Sequence, residues 1–184
     1  MRNNVYKIRF DTLDHISFHD RIIKQAEWEN GNLLLYFDRI DVHRTHPDNN
    51  TGKAKQTDNA LVCFGNLKAT KSQWHDDSKA IANAFGKRKM TGDTSVIVDI
   101  DTNEIEIKDM DFLCALDHLD IVSLDTETNT ETYICKIEGG SAYDHAQRRT
   151  IEFEYSNVCV CFNGFTANAW FDNGVAWDGS AWVS

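Results

Sequence analysis

Apolar and polar residues alternate almost without error from Val96 to Ile107 and from Ile151 to Phe171. A period of two puts one set of side chains on one face of an extended strand, so the chain reads as mainly antiparallel β. In the first segment a turn at Thr102-Asn103 sets Ile100 against Ile105 and Val98 against Ile107. The opposite face then sets Asp101 against Glu104 and Asp99 against Glu106. In the second, Ile151, Phe153 and Tyr155 share a face and Ser156-Asn157 turns. Val158, Val160 and Phe162 follow on the same face, and Asn163-Gly164 leads to Phe165, Ala167, Ala169 and Phe171. This predicts a β-meander with one continuous apolar face.

Asn30-Gly31 lies between Ala26–Glu29 and Asn32–Phe37. Both turn residues of a type I′ hairpin need positive φ, which Asn and Gly tolerate. In that register Trp28 faces Leu33 and Ala26 faces Leu35. The second strand is apolar on both faces, at Leu34 and Tyr36, and so is expected to be central or covered. Residues 43–59, with the only proline at Pro47, are expected to form an exposed, mobile loop. Ala60 to Thr70 reads as a strand with Leu61, Cys63 and Leu67 inward. A short helix is expected over Asp77–Phe85, capped by Asp76 or Asp77 and stopped at Gly86. Asp111–His118 fits helix and strand spacing equally, and 119–124 and 132–137 read as a strand pair. No linker divides the chain. The predicted architecture is one domain, residues 1–184: an antiparallel sandwich or partly open barrel with one short helix and a Trp- and Gly-rich tail, 172–184.

Charge narrows the partners. Against 19 bases stand 29 acids, a net charge of −10. This disfavours nucleic acid and anionic membranes and suits a basic protein partner; it also serves solubility alone. Met1 to Lys7 contain no apolar signal region, and no apolar run reaches membrane-spanning length. The five cysteines include no C-x-x-C pair. Reduced thiols in a cytoplasmic protein account for all five, with no metal or cofactor expected.

Candidate chemistry is sparse. Asp99, Asp101, Glu104 and Glu106 would place four carboxylates on one patch, where like charges oppose each other at a cost of about 0.2–1 kcal/mol per pair. Such a patch suits the lysines and arginines of a partner, unless solvent and nearby lysines simply screen it. His15 and His19 have metal-like spacing only on a helix. His43 and His46, in the long loop, could hold a metal weakly, and Cys114 and His118 could pair as nucleophile and base. Gly139-Gly140 reads as a turn. Near the C-terminus, Asn173-Gly-Val-Ala-Trp177 is echoed by Asp178-Gly-Ser-Ala-Trp182. Tryptophans stack on sugars or fill partner pockets. A cleft holding Trp170, Trp177 or Trp182 with His19 and Asp20 is thus the alternative site, for a small ligand, a carbohydrate or a hydrolytic reaction. Otherwise the tail tucks its indoles onto the sheet.

The stretch Ile16-Ser-Phe-His-Asp-Arg-Ile-Ile, then Trp28-Glu-Asn-Gly-Asn-Leu-Leu-Leu-Tyr-Phe-Asp, resembles an "HDxxI…WxNGxLxLxF" opening. That opening is found in small uncharacterised bacterial β-rich proteins, some of which resemble toxin-immunity proteins. Ala169-Trp170-Phe171 fits the same resemblance, which covers about a fifth of the chain and carries over no catalytic residue. It implies a non-enzymatic binding protein, an immunity-type inhibitor of a basic partner such as a nuclease toxin.

Overall fold

In this computed structural model the described residues are 6–76, 89–91, 94–96, 106–129, 131–141, 147–169, 171, 176–177 and 182–183. Strands β1 (Ile8–Phe10) and β2 (Ile16–Ser17) precede β3 (Arg21–Glu29) and β4 (Asn32–Phe37). Next come β5 (Asp41–Val42), β6 (Lys55–Thr57), β7 (Ala60–Gly65) and β8 (Lys68–Asp76). The short strands β9 (Lys89–Thr91) and β10 (Thr94–Val96) pair with each other, and β11 (Glu106–Asp109) leads into helix α1 (Phe112–Leu116). Then follow β12 (Leu119–Thr128), β13 (Tyr133–Ser141), β14 (Gln147–Tyr155), β15 (Asn157–Phe162) and β16 (Phe165–Asn168). The last pair is β17 (Ala176–Trp177) and β18 (Trp182–Val183).

All pairings are antiparallel. The main ladder runs β1-β15-β7-β4-β3-β12-β13-β14-β8-β11. It divides into two layers at β3, whose start pairs with β12 and whose remainder pairs with β4. The chain also crosses between layers at two adjacent corners, from β7 to β8 and from β14 to β15. There the Ser156 amide donates to the Gly65 carbonyl at 3.0 Å. A smaller sheet, β16-β6-β5-β2, completes an antiparallel sandwich. Ile23, Leu33, Leu35 and Phe64 from one layer meet Leu119, Ile121, Ile137 and Phe153 from the other, all fully buried. Among the described residues no helix is long and apolar enough to cross a membrane.

The hairpin follows its local chemistry. Asn30 has φ 52° and Gly31 φ 81°, Trp28 pairs with Leu33 and Ala26 with Leu35. β4 is central, between β3 and β7. The pair β12–β13 also forms, longer than its apolar core. Helix wins at 112–116: the Asp111 carboxylate accepts the Cys114 amide at 3.0 Å, which holds its pKa below the usual range. At the other end one Arg149 nitrogen donates to the carbonyls of Cys114, Ala115 and Asp117 at 3.2, 3.2 and 3.0 Å. A five-residue helix is thereby closed at both ends.

Four expectations are corrected. Gly139-Gly140 is not a turn: both glycines lie within β13, paired with Ile121 and Asp120 of β12. The other three concern larger elements. First, β14 and β15 do not form a meander: β14 pairs with β13 and β8, and β15 with β1 and β7. The inward residues are as expected, from Ile151 to Phe162. The change of parity at Ser156 marks a corner between layers. β16 pairs with β6, and a register slip there leaves Ala167 exposed. Second, β7 turns Val62 and Phe64 inward, opposite Leu35 and Leu33 of β4, leaving Leu61 and Cys63 half-buried on the outer face. Third, the segment 43–59 contains β6 and buries His46, Asn49, Ala54 and Thr57. The Asn49 amide nitrogen lies 3.0 Å from the His43 carbonyl and 2.9 Å from that of Lys53. Its oxygen accepts the Thr51 hydroxyl at 2.7 Å and the Thr51 amide at 3.2 Å. One buried carboxamide thus satisfies a loop that has little apolar surface of its own.

The helix expected at 77–85 and the hairpin turn at Thr102-Asn103 lie outside the described residues. Of that hairpin's apolar face, Ile107 is described: it pairs with His75 and is 55% exposed, so it does not face the core.

His46 carries a pH prediction. Its ring packs at a tilt against Phe10, centroids 3.9 Å apart. Nδ1 accepts the Asp48 amide at 3.2 Å, while the buried Nε2 has no hydrogen-bond partner among the described residues. Burial lowers its pKa from 6.5, His15 adding to the effect while Asp48 and Asp14 oppose it. A lowered imidazole pKa means that the unfolded chain takes up the proton first. The stability contribution is therefore full above about pH 6.5 and lost as pH falls below it. The urea midpoint should drop between pH 7 and pH 5, and His46→Leu should show a smaller drop over the same range.

Candidate functional site

The histidine–aspartate pair of the opening segment is a structural clamp. His15 and Asp20 both take positive φ, 61° and 57°, so no helix aligns His15 with His19. The Asp20 amide donates to the Ile121 carbonyl at 2.9 Å. His19 Nδ1 lies 2.8 Å from the Val122 carbonyl. That carbonyl is free because β12 slips register between Ile121 and Ser123, leaving Val122 unpaired and 61% exposed. His19 Nε2 is 3.6 Å from the Asp20 carboxylate, both side chains exposed. His15 instead meets the Thr45 hydroxyl at 3.0 Å. Beneath the turn, Arg21 donates to Asp41 in a buried ion pair.

Four of the thiols, Cys63, Cys114, Cys135 and Cys159, are shifted away from the thiolate. Burial pushes Cys159 up to about 12, aided by Cys161, whose sulfur lies 3.2 Å away. Burial also raises Cys63 and Cys135. Cys114, exposed at the helix start, is raised by the Asp111 carboxylate. His118 approaches Asp117, Nε2 to Oδ2 3.9 Å. His43 packs at a tilt against Phe171 and His46 against Phe10, so these two rings are committed to different neighbours. Among the described residues no three His, Cys, Asp or Glu side chains converge as metal ligands.

The concave feature suited to a ligand lies elsewhere. A cleft of about 590 Å³ opens between the loop after β1 and the tip of the β12–β13 hairpin, within the roughly 300–1,000 Å³ range of small-molecule sites. Tyr133 and Tyr155 are direct partners across β13 and β14. Their rings stack, 5.3 Å apart and 25° from parallel. Tyr155 is buried, and its hydroxyl is held above the ordinary range first by burial and then by Cys135, Tyr133 and Asp14. Tyr133 is 43% exposed and forms a plate with a rigid backing. Around it stand Arg9, Asp11, Asp14, Thr126 and Asn157. Arg9 Nε donates to Asp11 at 3.1 Å. The Asp14 amide donates to the Thr12 hydroxyl at 3.0 Å, which shapes the loop. Asn157 is placed by the layer corner, opposite Gly65. At Gly65 a Cβ would collide with the Asn157 side chain.

Of the residues expected to form a site, those whose side chains are described do not line this cleft. His19 and Asp20 serve the clamp. Trp170 lies outside the described residues; Trp177 and Trp182 are register partners in β17–β18. Asp99, Asp101 and Glu104 also lie outside, and Glu106 begins β11 opposite Asp76. The cleft draws on four separated stretches of chain, so no local motif announces it. Its one signal in the sequence is a tyrosine at each of two paired strand positions.

No family model, curated protein or solved structure matches the chain. Fold and site together define an antiparallel β sandwich with a polar, aromatic-walled cleft at one end.

Proposed function

We propose that this chain is a non-enzymatic binding protein and that a small polar ligand sits in the cleft. The observation that carries this reading is the half-exposed Tyr133 backed by buried Tyr155 at a polar wall. An aromatic ring held by a second ring offers large contact area at little entropic cost. The surrounding carboxylates, hydroxyls and amide supply orientation. The raised thiols favour binding over nucleophilic catalysis. A ligand-observed NMR screen with amino acids, amines, nucleosides and methyl glycosides tests it. At least one probe should bind, with affinity about tenfold or more weaker in Tyr133→Ala, as expected for an anchoring aromatic. Equal binding to both proteins would place the ligand elsewhere.

The net charge of −10 favours a second reading. In it the chain is a cytoplasmic, immunity-type inhibitor that meets a basic protein through Asp99, Asp101, Glu104 and Glu106. Association would be electrostatically steered and would weaken with salt. Reversing all four charges should abolish capture of that partner. Unchanged partners with unchanged salt dependence would dismiss this reading.

A further inference from the structure

We infer that the cleft takes a carbohydrate, with one sugar face on Tyr133 and two adjacent hydroxyls at the Arg9–Asp11 pair. This rests on the reading of the cleft as a binding site. A sugar ring has an apolar C–H face and a polar rim, and each rim hydroxyl both donates and accepts. It is best held where donor and acceptor stand side by side against an apolar plate. Arg9 and Asp11 offer that pairing. One guanidinium N–H is spent on the bond between them, and both side chains stay open to solvent, 70% and 77% exposed. Beyond the bond they share, Arg9 keeps further N–H donors and Asp11 a second acceptor oxygen. Thr126, Thr128 and Asn157 extend the wall with hydroxyl and amide groups.

Charge separates this ligand class from its rivals. The cleft holds one base and two acids, Asp11 and Asp14, in a molecule of net charge −10. An anionic ligand would meet repulsion. A cationic ligand would find Asp14 but would compete with Arg9 for Asp11. A neutral polyol uses donors and acceptors alike and breaks no existing pair.

Saturation-transfer NMR on the full chain, with methyl glycosides of glucose, galactose, mannose and N-acetylglucosamine and with cellobiose and maltose, tests the proposal. Arginine methyl ester and cadaverine serve as cationic comparisons. At least one sugar should receive saturation, strongest on the C–H protons of one ring face. Tyr133→Phe, which keeps the plate, should retain the signal and Tyr133→Ala should lose it. Arg9→Gln should weaken binding about tenfold, the size of one charge-assisted hydrogen bond. Unchanged melting temperatures would show that these exposed substitutions leave the fold intact. Binding of the cations but of no sugar would overturn the carbohydrate and leave the cleft reading standing. If nothing binds here or in the wider screen with amino acids and nucleosides, both fall.

Discussion

Asp41→Ala should destabilise the fold by about 3–5 kcal/mol, because it strands a buried guanidinium. The Arg21 and Asp41 side chains are 6% and 0% exposed, and Arg21 donates directly to the Asp41 carboxylate. Among the described residues the Arg21 guanidinium has one other bond, to the Asp20 carbonyl at 3.3 Å. Among the described residues its Nε and the second Asp41 oxygen have no hydrogen-bond partner. The pair is therefore incompletely satisfied, and the two charges compensate mainly each other. It also joins parts of the fold. Arg21 opens β3 opposite Ile121 of β12, while Asp41 opens β5 between Ser17 and Gln56 in the smaller sheet. Urea unfolding of Asp41→Ala, Arg21→Met and Arg21→Met/Asp41→Leu measures this. The double variant should recover most of the loss, since no charge remains buried. A loss under about 1 kcal/mol for Asp41→Ala, the level of an exposed pair, would show that water reaches the guanidinium.

Phe153→Ala should cost a comparable amount, about 3–5 kcal/mol. The ring is fully buried and sits where three parts of the fold meet. It contacts Phe64 of the opposite layer edge-on at 5.0 Å and Phe112 of α1 at 5.8 Å. It also lies 6.2 Å from Tyr155, the ring that backs the cleft. Truncation opens a cavity between layers that cannot close without moving β14, which is paired on both sides. Phe153→Leu, which keeps most of the volume, should cost much less. If both variants unfold at the same urea concentration, tight filling of this position is not what holds the layers together.

The hairpin at Asn30-Gly31 is legible because its geometry is local: two residues with positive φ fix the turn, and the turn fixes the register. The Asp111 cap is legible once helix is chosen, since an Asp can accept the amide three residues ahead. Helix was undecided there because five residues are too few for spacing to discriminate. The loop over 43–59 is misread for a different reason. Its stabilisation is polar, through Asn49, and hydrophobic patterning is blind to that. The cleft leaves no trace in the sequence beyond its two strand tyrosines, Tyr133 and Tyr155. Arg9, Asp14, Thr126, Tyr133 and Asn157 are far apart in the chain, and only strand order brings them together.

By itself the amino-acid order determined that this protein is mainly antiparallel β, where its tightest hairpin turns, and which residues of β14 and β15 face inward. These follow from backbone geometry over a few residues. Beyond the hairpins β3–β4 and β12–β13, tertiary structure alone decided which strands lie side by side. Ile151 to Phe162 illustrates the division. A change of parity at Ser156 satisfies a hairpin and a corner equally well, because either restores the apolar side chains to the interior. The bond from Ser156 to Gly65 and the ladders of β14 with β8 and β15 with β7 make it a corner. Those partners come from a segment some ninety residues earlier, beyond the reach of any local pattern.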